Sequence, residues 1–390
     1  MSSLIVFFKK NWLLMLILIM AFAIRVYNLD SRNLGTDENY SLKFSKDVYS
    51  GNLEAVLNKE PHPPGYYFLV GLFFKIYDSV YFVRVIHILI GLFGVTAIYF
   101  FVSQLLNDKA LAILSAFLLA LNPMHVLYST QIRSYILLSL ICLLSSLALY
   151  NFIFKNNKKI IYLLIPLYIW GFYTHFYSVF IISSHFLAVL YFKFIKRFNF
   201  NFKTYIKGFV FLVLTVLLYV PRFFKQFDTT LVQQGGSPLP PLRLIEIPYP
   251  FYKYALMVNI DPIKENFPFL FALGILLTLL FFYGIYKFYK KDKNAAIFSF
   301  IMFFGVVMIP LLLDLFVKYV SSGRTTIYYF RFLSFLVPFY VFFVAYGVSF
   351  KNKWLKYVFV ALITVGWLIL INYYYDVSAS YILWNKFIGM

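Results

Sequence analysis

Two adjacent carboxylates, Asp37 and Glu38, stand just after the first membrane-length apolar run of this chain. Residues 36–40 read Thr-Asp-Glu-Asn-Tyr, and residues 62–67, which begin 24 residues after Glu38, read His-Pro-Pro-Gly-Tyr-Tyr. Ionised carboxylates at the end of a transmembrane helix meet water and still lie close to the bilayer. Such a pair suits proton abstraction from, or cation binding to, a molecule that lies in the membrane interface. This segment is therefore the first candidate site for chemistry.

Three arginines near predicted outer helix ends are the second chemical feature: Arg133, Arg324 and Arg331. The positive-inside rule places basic residues on the cytoplasmic side, so it does not explain them. A guanidinium is a planar fork of donors that matches a phosphate group. These residues predict phosphate binding, with structural pairing to loop carboxylates as the alternative.

Composition fixes the class of protein that must position these residues. Apolar residues make up 62% of the chain, charged residues 13%, and the mean hydropathy is +0.79. These values are typical of a polytopic α-helical membrane protein and exclude a soluble globular domain. The one cysteine, Cys142, leaves no disulfide framework or thiolate metal site. The net charge of +20 comes largely from lysines in short loops, so it indicates topology and contact with anionic lipids, not a nucleic-acid partner.

The hydropathy pattern predicts eleven membrane spans. They lie near residues 12–28, 80–104, 110–128, 132–153, 160–175, 177–192, 208–222, 267–286, 296–317, 332–349 and 357–375. The first is interpreted as a retained signal anchor. With the N-terminus inside, the lysine clusters fall on the cytoplasmic connections, as the positive-inside rule requires. We expect a multi-pass protein of a prokaryotic plasma membrane.

The predicted outer connections are longer and more elaborate than the inner ones. Residues 29–79 form an outer loop in which Pro64–Asp78 is apolar but too short to span, which indicates a helix lying in the interface. Residues 223–266 form a second outer loop. We expect one integral membrane domain over residues 1–390, no separate soluble domain, and an active site that faces outside.

These motifs, in this order, resemble the GT-C superfamily of glycosyltransferases, in the branch of protein O-mannosyltransferases and lipid A aminoarabinose transferases. The resembling segments are Asp37-Glu38, residues 62–67, Asn122-Pro123, residues 128–135, residues 174–177 and Arg331-Phe332 with Pro338. The resemblance is strongest over roughly residues 12–200. The family often has Glu where this chain has Gln131, so an acidic role at that position is lost or moved.

The resemblance implies a GT-C fold with about 11 transmembrane helices and an inverting transfer of one sugar. The donor is a polyprenyl-phosphate sugar, and the acceptor is a lipid, a glycan or a protein at the outer face. Asp37 is the expected base and Glu38 a second catalytic carboxylate, while Arg331, with Arg133 or Arg324, is expected to bind the donor phosphate. The expected substrate contacts are His62, Tyr66, Tyr135 and His175.

Cofactor and partners follow from the same set of residues. Two carboxylates and two histidines near one face permit a divalent metal ion without requiring one. The expected partners are the lipid-linked donor, its acceptor and membrane lipids, with no nucleic acid. The sequence names neither the sugar nor the acceptor.

Two other functional classes stay open at this point. A lipid-linked glycan flippase usually places ionisable groups near the bilayer midplane, whereas Asp314 is here the only acid set within a predicted span and lies near its outer end. A non-catalytic membrane subunit that positions substrate is the other alternative. His87, His125 and His185 lie in or near spans and are interpreted as hydrogen-bonded packing residues.

The predicted orientation is tested by reporter fusions. Fusions after Lys158 and after Lys290 should report the cytoplasm, and a fusion at Gly236 should report the exterior, because lysine clusters alternate with the long outer loops. Paired alkaline phosphatase and green fluorescent protein fusions measure this. A cytoplasmic signal at Gly236 would overturn the whole topology.

Overall fold

The computed structural model describes residues 11–27, 29–30, 32–60, 62–222, 247–256, 268–321 and 331–379. Every regular element among these residues is helical. The α-helices are α1 (Trp12–Val26), α2 (Thr36–Tyr49), α3 (Leu53–Lys59), α4 (Gly65–Ile76), α5 (Val80–Leu106), α6 (Lys109–Leu121), α7 (Pro123–Thr130), α8 (Tyr135–Phe154), α9 (Ile161–Thr174), α10 (Ser178–Leu190), α11 (Phe202–Leu217), α12 (Tyr249–Ala255), α13 (Pro268–Lys291), α14 (Lys293–Phe300), α15 (Val306–Ser321), α16 (Val337–Val348) and α17 (Lys353–Ala379). Short 3-10 or π turns occupy Lys158–Ile160, Tyr191–Ile195, Ile301–Gly305 and Ser334–Leu336.

The prediction of an all-α polytopic membrane protein is confirmed. Within the described part of the chain, six helical stretches are long and apolar enough to cross a membrane, and the pair α6 and α7 makes a seventh if it counts as one bent span. The helices α1, α9, α11 and α16 have 15, 14, 16 and 12 residues, which is short for a full crossing. The count of eleven spans therefore stays a prediction.

Helix α16 lies at the centre of the bundle. Every one of its residues is buried, as expected for a helix that is apolar on all sides. It packs against α13 through two glycines: a Cβ on Gly284 would lie 1.9 Å from the carbonyl oxygen of Phe343, and a Cβ on Gly347 would lie 2.2 Å from that of Leu280. Small residues at both contacts let the two backbones approach closely, which is how membrane helices gain packing energy.

The third predicted span, residues 110–128, is not one straight helix. It breaks at Asn122 and Pro123, where α6 and α7 meet at 59°. Pro123 has no N–H to continue the helix, and the Asn122 Oδ1 accepts from the backbone N–H of His125 at 3.0 Å to start α7. Arg25 of α1 covers the break, because its Nη1 donates to the carbonyl of Ala120 at 2.9 Å and its Nε donates to Ser129 Oγ at 2.8 Å.

The connection between α1 and α5 folds into the three helices α2, α3 and α4. Helix α4 (Gly65–Ile76) confirms the helix predicted over Pro64–Asp78, and it packs on α2 through a buried apolar cluster that includes Phe44, Val48, Tyr67 and Phe74. Its first residue touches α9, since a Cβ on Gly65 would lie 2.5 Å from the carbonyl oxygen of Tyr173. This contact fixes the segment that precedes α4 beside the C-terminal end of α9.

Parts of the predicted outer face lie outside the described residues. Of the second outer loop, residues 223–266, the structure describes only residues 247–256, which carry α12. Arg324 also lies outside the described residues. The orientation of the bundle and the single-domain boundaries stay predictions.

Candidate active site at one end of the bundle

A buried ion-pair network forms around Glu38, in the first turn of α2. Its Oε1 accepts from Arg32 Nη2 at 3.0 Å and from the backbone N–H of Ile132 at 3.0 Å. Its Oε2 accepts from Arg84 Nη2 at 3.3 Å and from the backbone N–H of Gly35 at 3.2 Å. One carboxylate thus joins the chain before α2, the start of α5 and the turn before α8.

The Glu38 carboxylate is ionised and fully engaged. Burial alone would raise its pKa, but Arg32 and Arg84, with the two backbone N–H groups, lower the pKa below its usual value. Glu38 is only 3% exposed, and both of its oxygens accept from protein donors. This geometry favours a positioning role for Glu38 over the direct catalytic role that the resemblance implies.

Asp37, the preceding residue, has a different environment. Its Oδ2 forms an ion pair with Nη2 of Arg331, and its side chain is 37% exposed. Its backbone carbonyl accepts from Arg133 Nη1 at 3.3 Å, and the same Nη1 donates to Ser41 Oγ at 3.3 Å. Asp37, Arg133 and Arg331 therefore meet, and two of the three predicted phosphate-binding arginines lie beside the predicted base.

Arg331 does not open a helix as predicted. It lies in a turn, followed by the 3-10 turn Ser334–Leu336 and then α16. Burial lowers the pKa of Arg331 to about 10, which leaves the guanidinium charged at neutral pH. Arg331 is thus a charged arginine on a turn just before α16.

Beside this ion pair lies a cluster of rings, the histidine–aromatic cluster, made of His62, Tyr135, His175, Tyr177 and Phe332. The ring centroid of His175 lies 4.6 Å from that of His62, 5.7 Å from Tyr135, 5.2 Å from Tyr177 and 6.1 Å from Phe332. The guanidinium carbon of Arg133 lies 5.6 Å from the centroid of Tyr135. Three of the four predicted substrate-binding residues thus lie together, next to Arg133.

The two histidines of this cluster are neutral. Burial, and then the positive charge of Arg133, lowers the pKa of His62 to about 3. Across the described residues, no group of three or more His, Cys, Asp or Glu side chains is placed to hold a metal ion. The divalent metal considered from the sequence gains no ligand set from this geometry.

Tyr66, the fourth predicted substrate-binding residue, is engaged elsewhere. Its hydroxyl donates to His87 Nε2 at 2.8 Å, because His87 Nδ1 already donates to the carbonyl of Val83 at 2.8 Å. Tyr66 is 2% exposed, so the geometry gives it a packing role. The interpretation of His87, His125 and His185 as hydrogen-bonded packing residues is confirmed.

Four residues of the site were not singled out from the sequence: Arg25, Arg32, Glu60 and Arg84. Arg84 lies near the predicted outer end of the second span, where the positive-inside rule leaves it as unexplained as Arg133. Glu60 accepts from the hydroxyl of Tyr67 at 2.7 Å, and burial raises its pKa although Tyr67 and Arg133 oppose that shift. Its position two residues before His62 was the available signal.

The sequence profile of the dolichyl-phosphate-mannose-protein mannosyltransferase family matches residues 61–219. This match covers less than half of the chain and includes His62, Arg133, Tyr135 and His175, whereas Asp37 lies outside it. No curated protein sequence matches the chain.

Solved structures resemble the chain over most of its length. The oligosaccharyltransferase AglB of Archaeoglobus fulgidus, in complex with an inhibitory peptide and a dolichol-phosphate, is 14% identical with a TM-score of 0.58, over 96% of this chain and 56% of that one. ArnT of Cupriavidus metallidurans is 12% identical, with a TM-score of 0.57 in the apo state, over 88% of this chain and 60% of that one. Its complex with undecaprenyl phosphate gives 0.54, over 88% and 61%. The chain thus spans less than two thirds of these proteins and shares their fold.

The network predicts a large stability loss for Glu38→Gln. The variant leaves Arg32 and Arg84 buried without their carboxylate, which should lower the free energy of unfolding by about 3–5 kcal/mol. Thermal unfolding of the purified protein in detergent measures this. Asp37→Asn is the matched control, and it should cost about 1 kcal/mol or less because its side chain is partly exposed.

The stability difference between the wild type and Glu38→Gln depends on pH. A carboxylate whose folded pKa is lowered stabilises the protein above its unfolded pKa, and this stabilisation is lost as the pH falls through the folded pKa. The wild type should therefore lose stability on acidification more steeply than Glu38→Gln. Equal unfolding of Glu38→Gln and Asp37→Asn at neutral pH would show that the network is not what holds this end of the bundle.

Proposed function

We propose that this chain, which has the fold of the GT-C membrane glycosyltransferases, transfers one sugar from a polyprenyl-phosphate donor to an acceptor at the outer face of the membrane. The observation that carries the proposal is the meeting of Asp37, Arg331 and Arg133 at one end of the bundle. A partly exposed carboxylate beside two guanidinium groups supplies a proton acceptor and a phosphate-binding site within one small region.

The lipid class of the donor is proposed from the neighbours in fold. AglB was solved with a dolichol-phosphate and ArnT with undecaprenyl phosphate. Both ligands are polyprenyl phosphates, with a phosphate at headgroup depth and an apolar chain. We extend this class of ligand to the present chain, in which Arg331 and Arg133 would meet the phosphate.

The proposed reaction is a single inverting displacement. The acceptor oxygen attacks the anomeric carbon and forms the new C–O bond, while the bond from that carbon to the phosphate oxygen breaks and its electron pair stays on the phosphate. Asp37 accepts the proton of the acceptor hydroxyl. The leaving group is already a stabilised phosphate oxygen, so Arg331 needs only to stabilise the charge that grows on it in the transition state.

The Asp37–Arg331 ion pair implies that the donor phosphate binds before Asp37 accepts the proton. While Arg331 pairs with Asp37, the guanidinium occupies Oδ2, an oxygen with which the carboxylate would accept the proton. A donor phosphate would compete for the same guanidinium and release the carboxylate to the acceptor hydroxyl. Meanwhile Arg133 holds the Asp37 backbone and Glu38 holds the start of α2, so the carboxylate stays in place.

Asp37→Asn tests the proposed base. The change keeps the size of the side chain and removes proton acceptance, so kcat should fall about 10²–10⁴-fold with a much smaller effect on donor binding. Transfer of radiolabelled sugar from a purified polyprenyl-phosphate donor measures kcat, and donor titration measures binding.

Asp47→Asn, on the same helix α2, is the matched control and should transfer sugar normally. Near-normal turnover of Asp37→Asn would make Asp37 a structural carboxylate and would refute the mechanism. A normally inserted Asp37→Asn protein that loses all transfer would also count against a transporter or a non-catalytic subunit.

Arg331→Lys and Arg331→Ala test the phosphate contact. Lysine keeps the charge but loses the planar fork, and alanine loses both, so the donor KM should rise and kcat should fall in the order Ala worse than Lys. For Arg331→Ala we expect kcat/KM to fall about ten- to a hundredfold, with little change in acceptor affinity.

Arg197→Lys, in a predicted cytoplasmic loop, is the matched control for a simple arginine-to-lysine change. Unchanged donor kinetics in both Arg331 variants would leave Arg331 as a structural partner of Asp37. Arg133 would then be the next candidate for the phosphate.

A further inference from the structure

The backbone fixes the tautomer of His175. This residue follows α9, and the backbone N–H of Tyr177 donates to its Nδ1 at 3.2 Å. Because Nδ1 accepts this hydrogen bond, the proton of the neutral imidazole must lie on Nε2. Burial, with His62 and Arg133 nearby, holds the pKa of His175 well below its usual range, so the ring is neutral.

The Nε2–H of His175 is buried and has no acceptor among the described residues. The residue as a whole is 1% exposed. Close by in sequence, Thr174 Oγ1 and Ser178 Oγ are also buried without a partner in the part of the chain that the structure describes. Native proteins rarely leave a buried donor unpaired, so the Nε2–H of His175 indicates a place where a polar ligand binds.

The surroundings define the chemistry of that ligand. His175 is ringed by His62, Tyr135, Tyr177 and Phe332, with centroids 4.6–6.1 Å away. A neutral N–H donor among aromatic rings suits a polyhydroxylated, uncharged ring with one apolar face. The two arginines lie at the border of this cluster. The guanidinium of Arg133 packs on the ring of Tyr135, and Arg331 is next in sequence to Phe332.

We propose that the histidine–aromatic cluster is the subsite for the transferred sugar, and that His175 Nε2–H donates a hydrogen bond to one of its hydroxyl oxygens. The inference rests on the proposed function and deepens it, because it separates a sugar subsite at His175 from the phosphate contacts at Arg331 and Arg133. The neutral donor recognises the sugar, and the guanidinium groups recognise the phosphate.

The tautomer also decides against two other roles for His175. A general base would need a free lone pair on Nε2, which carries the proton instead. A metal ligand at Nε2 would move that proton to Nδ1, where it would face the N–H of Tyr177. Among the roles open to the sequence, donation to substrate is the one this backbone supports.

Two amide substitutions test the donor directly. In His175→Gln the side-chain NH₂ lies near the former Nε2 position, whereas in His175→Asn it lies near the former Nδ1 position. The full-length protein in lipid nanodiscs is titrated with undecaprenyl phosphate alone and with undecaprenyl phosphate that carries mannose, glucose or galactose. The readout is the gain in affinity that the sugar provides.

His175→Asn should lose about tenfold of the sugar-dependent gain for the preferred sugar, and His175→Gln should recover most of it. Neither variant should change the affinity for undecaprenyl phosphate alone. Arg331→Ala should instead weaken the binding of undecaprenyl phosphate both with and without the sugar. His185→Gln is the matched control, since both ring nitrogens of His185 are paired, with Ser146 and Tyr168, and it should keep the full sugar-dependent gain. Thermal unfolding of each variant shows that it is folded.

Two results would overturn the sugar subsite: an equal loss for both lipids in His175→Asn, or no recovery in His175→Gln relative to His175→Asn. A wild type that binds all four lipids equally would overturn it as well. Failure of the proposed function is a separate result, because a protein that binds the sugar lipid through His175 but transfers nothing would retain the subsite and lose the reaction.

Discussion

The arrangement of the site depends on one buried interaction, the pairing of the Glu38 carboxylate with Arg32 and Arg84. Two guanidinium groups and a carboxylate inside a membrane protein are stable only when they satisfy one another. Each belongs to a different stretch of chain, and the carboxylate also accepts from the backbone of Ile132. The network therefore sets where α2 begins, and through it where the neighbouring Asp37 points.

Neighbouring carboxylates receive different roles from their environments. Glu38 is buried and has donors on both oxygens, so it holds structure. Asp37 is partly exposed, and its carboxylate forms an ion pair with Arg331, so it is open to exchange of partners. The two histidines His185 and His175 differ in the same way, since both nitrogens of His185 are paired within the bundle, whereas Nε2 of His175 has no partner among the described residues.

The broken span brings the second half of the site into place. Because α7 bends away from α6 by 59°, the turn before α8 reaches Glu38 and presents Arg133 to Asp37. A break in a helix leaves backbone carbonyls without their helical partners, and Arg25 Nη1 donates to one of them, the carbonyl of Ala120. An arginine buried in the first span is thus a consequence of the bend, and it connects the helix core to the site.

The sequence by itself determined the class, the existence of helix α4 and the residue types of the site, because hydropathy, helix length and residue chemistry are local properties. It also placed Asp37, Arg133, His62, Tyr135 and His175 among the candidates. Only the tertiary structure showed that Asp37 and Glu38 have different environments and that Tyr66 pairs with His87. It also showed the bend in the third span and the contributions of Arg25, Arg32, Arg84 and Glu60. These features depend on hydrogen bonds and ion pairs between segments that are distant in sequence, and no local pattern of the chain specifies such partners.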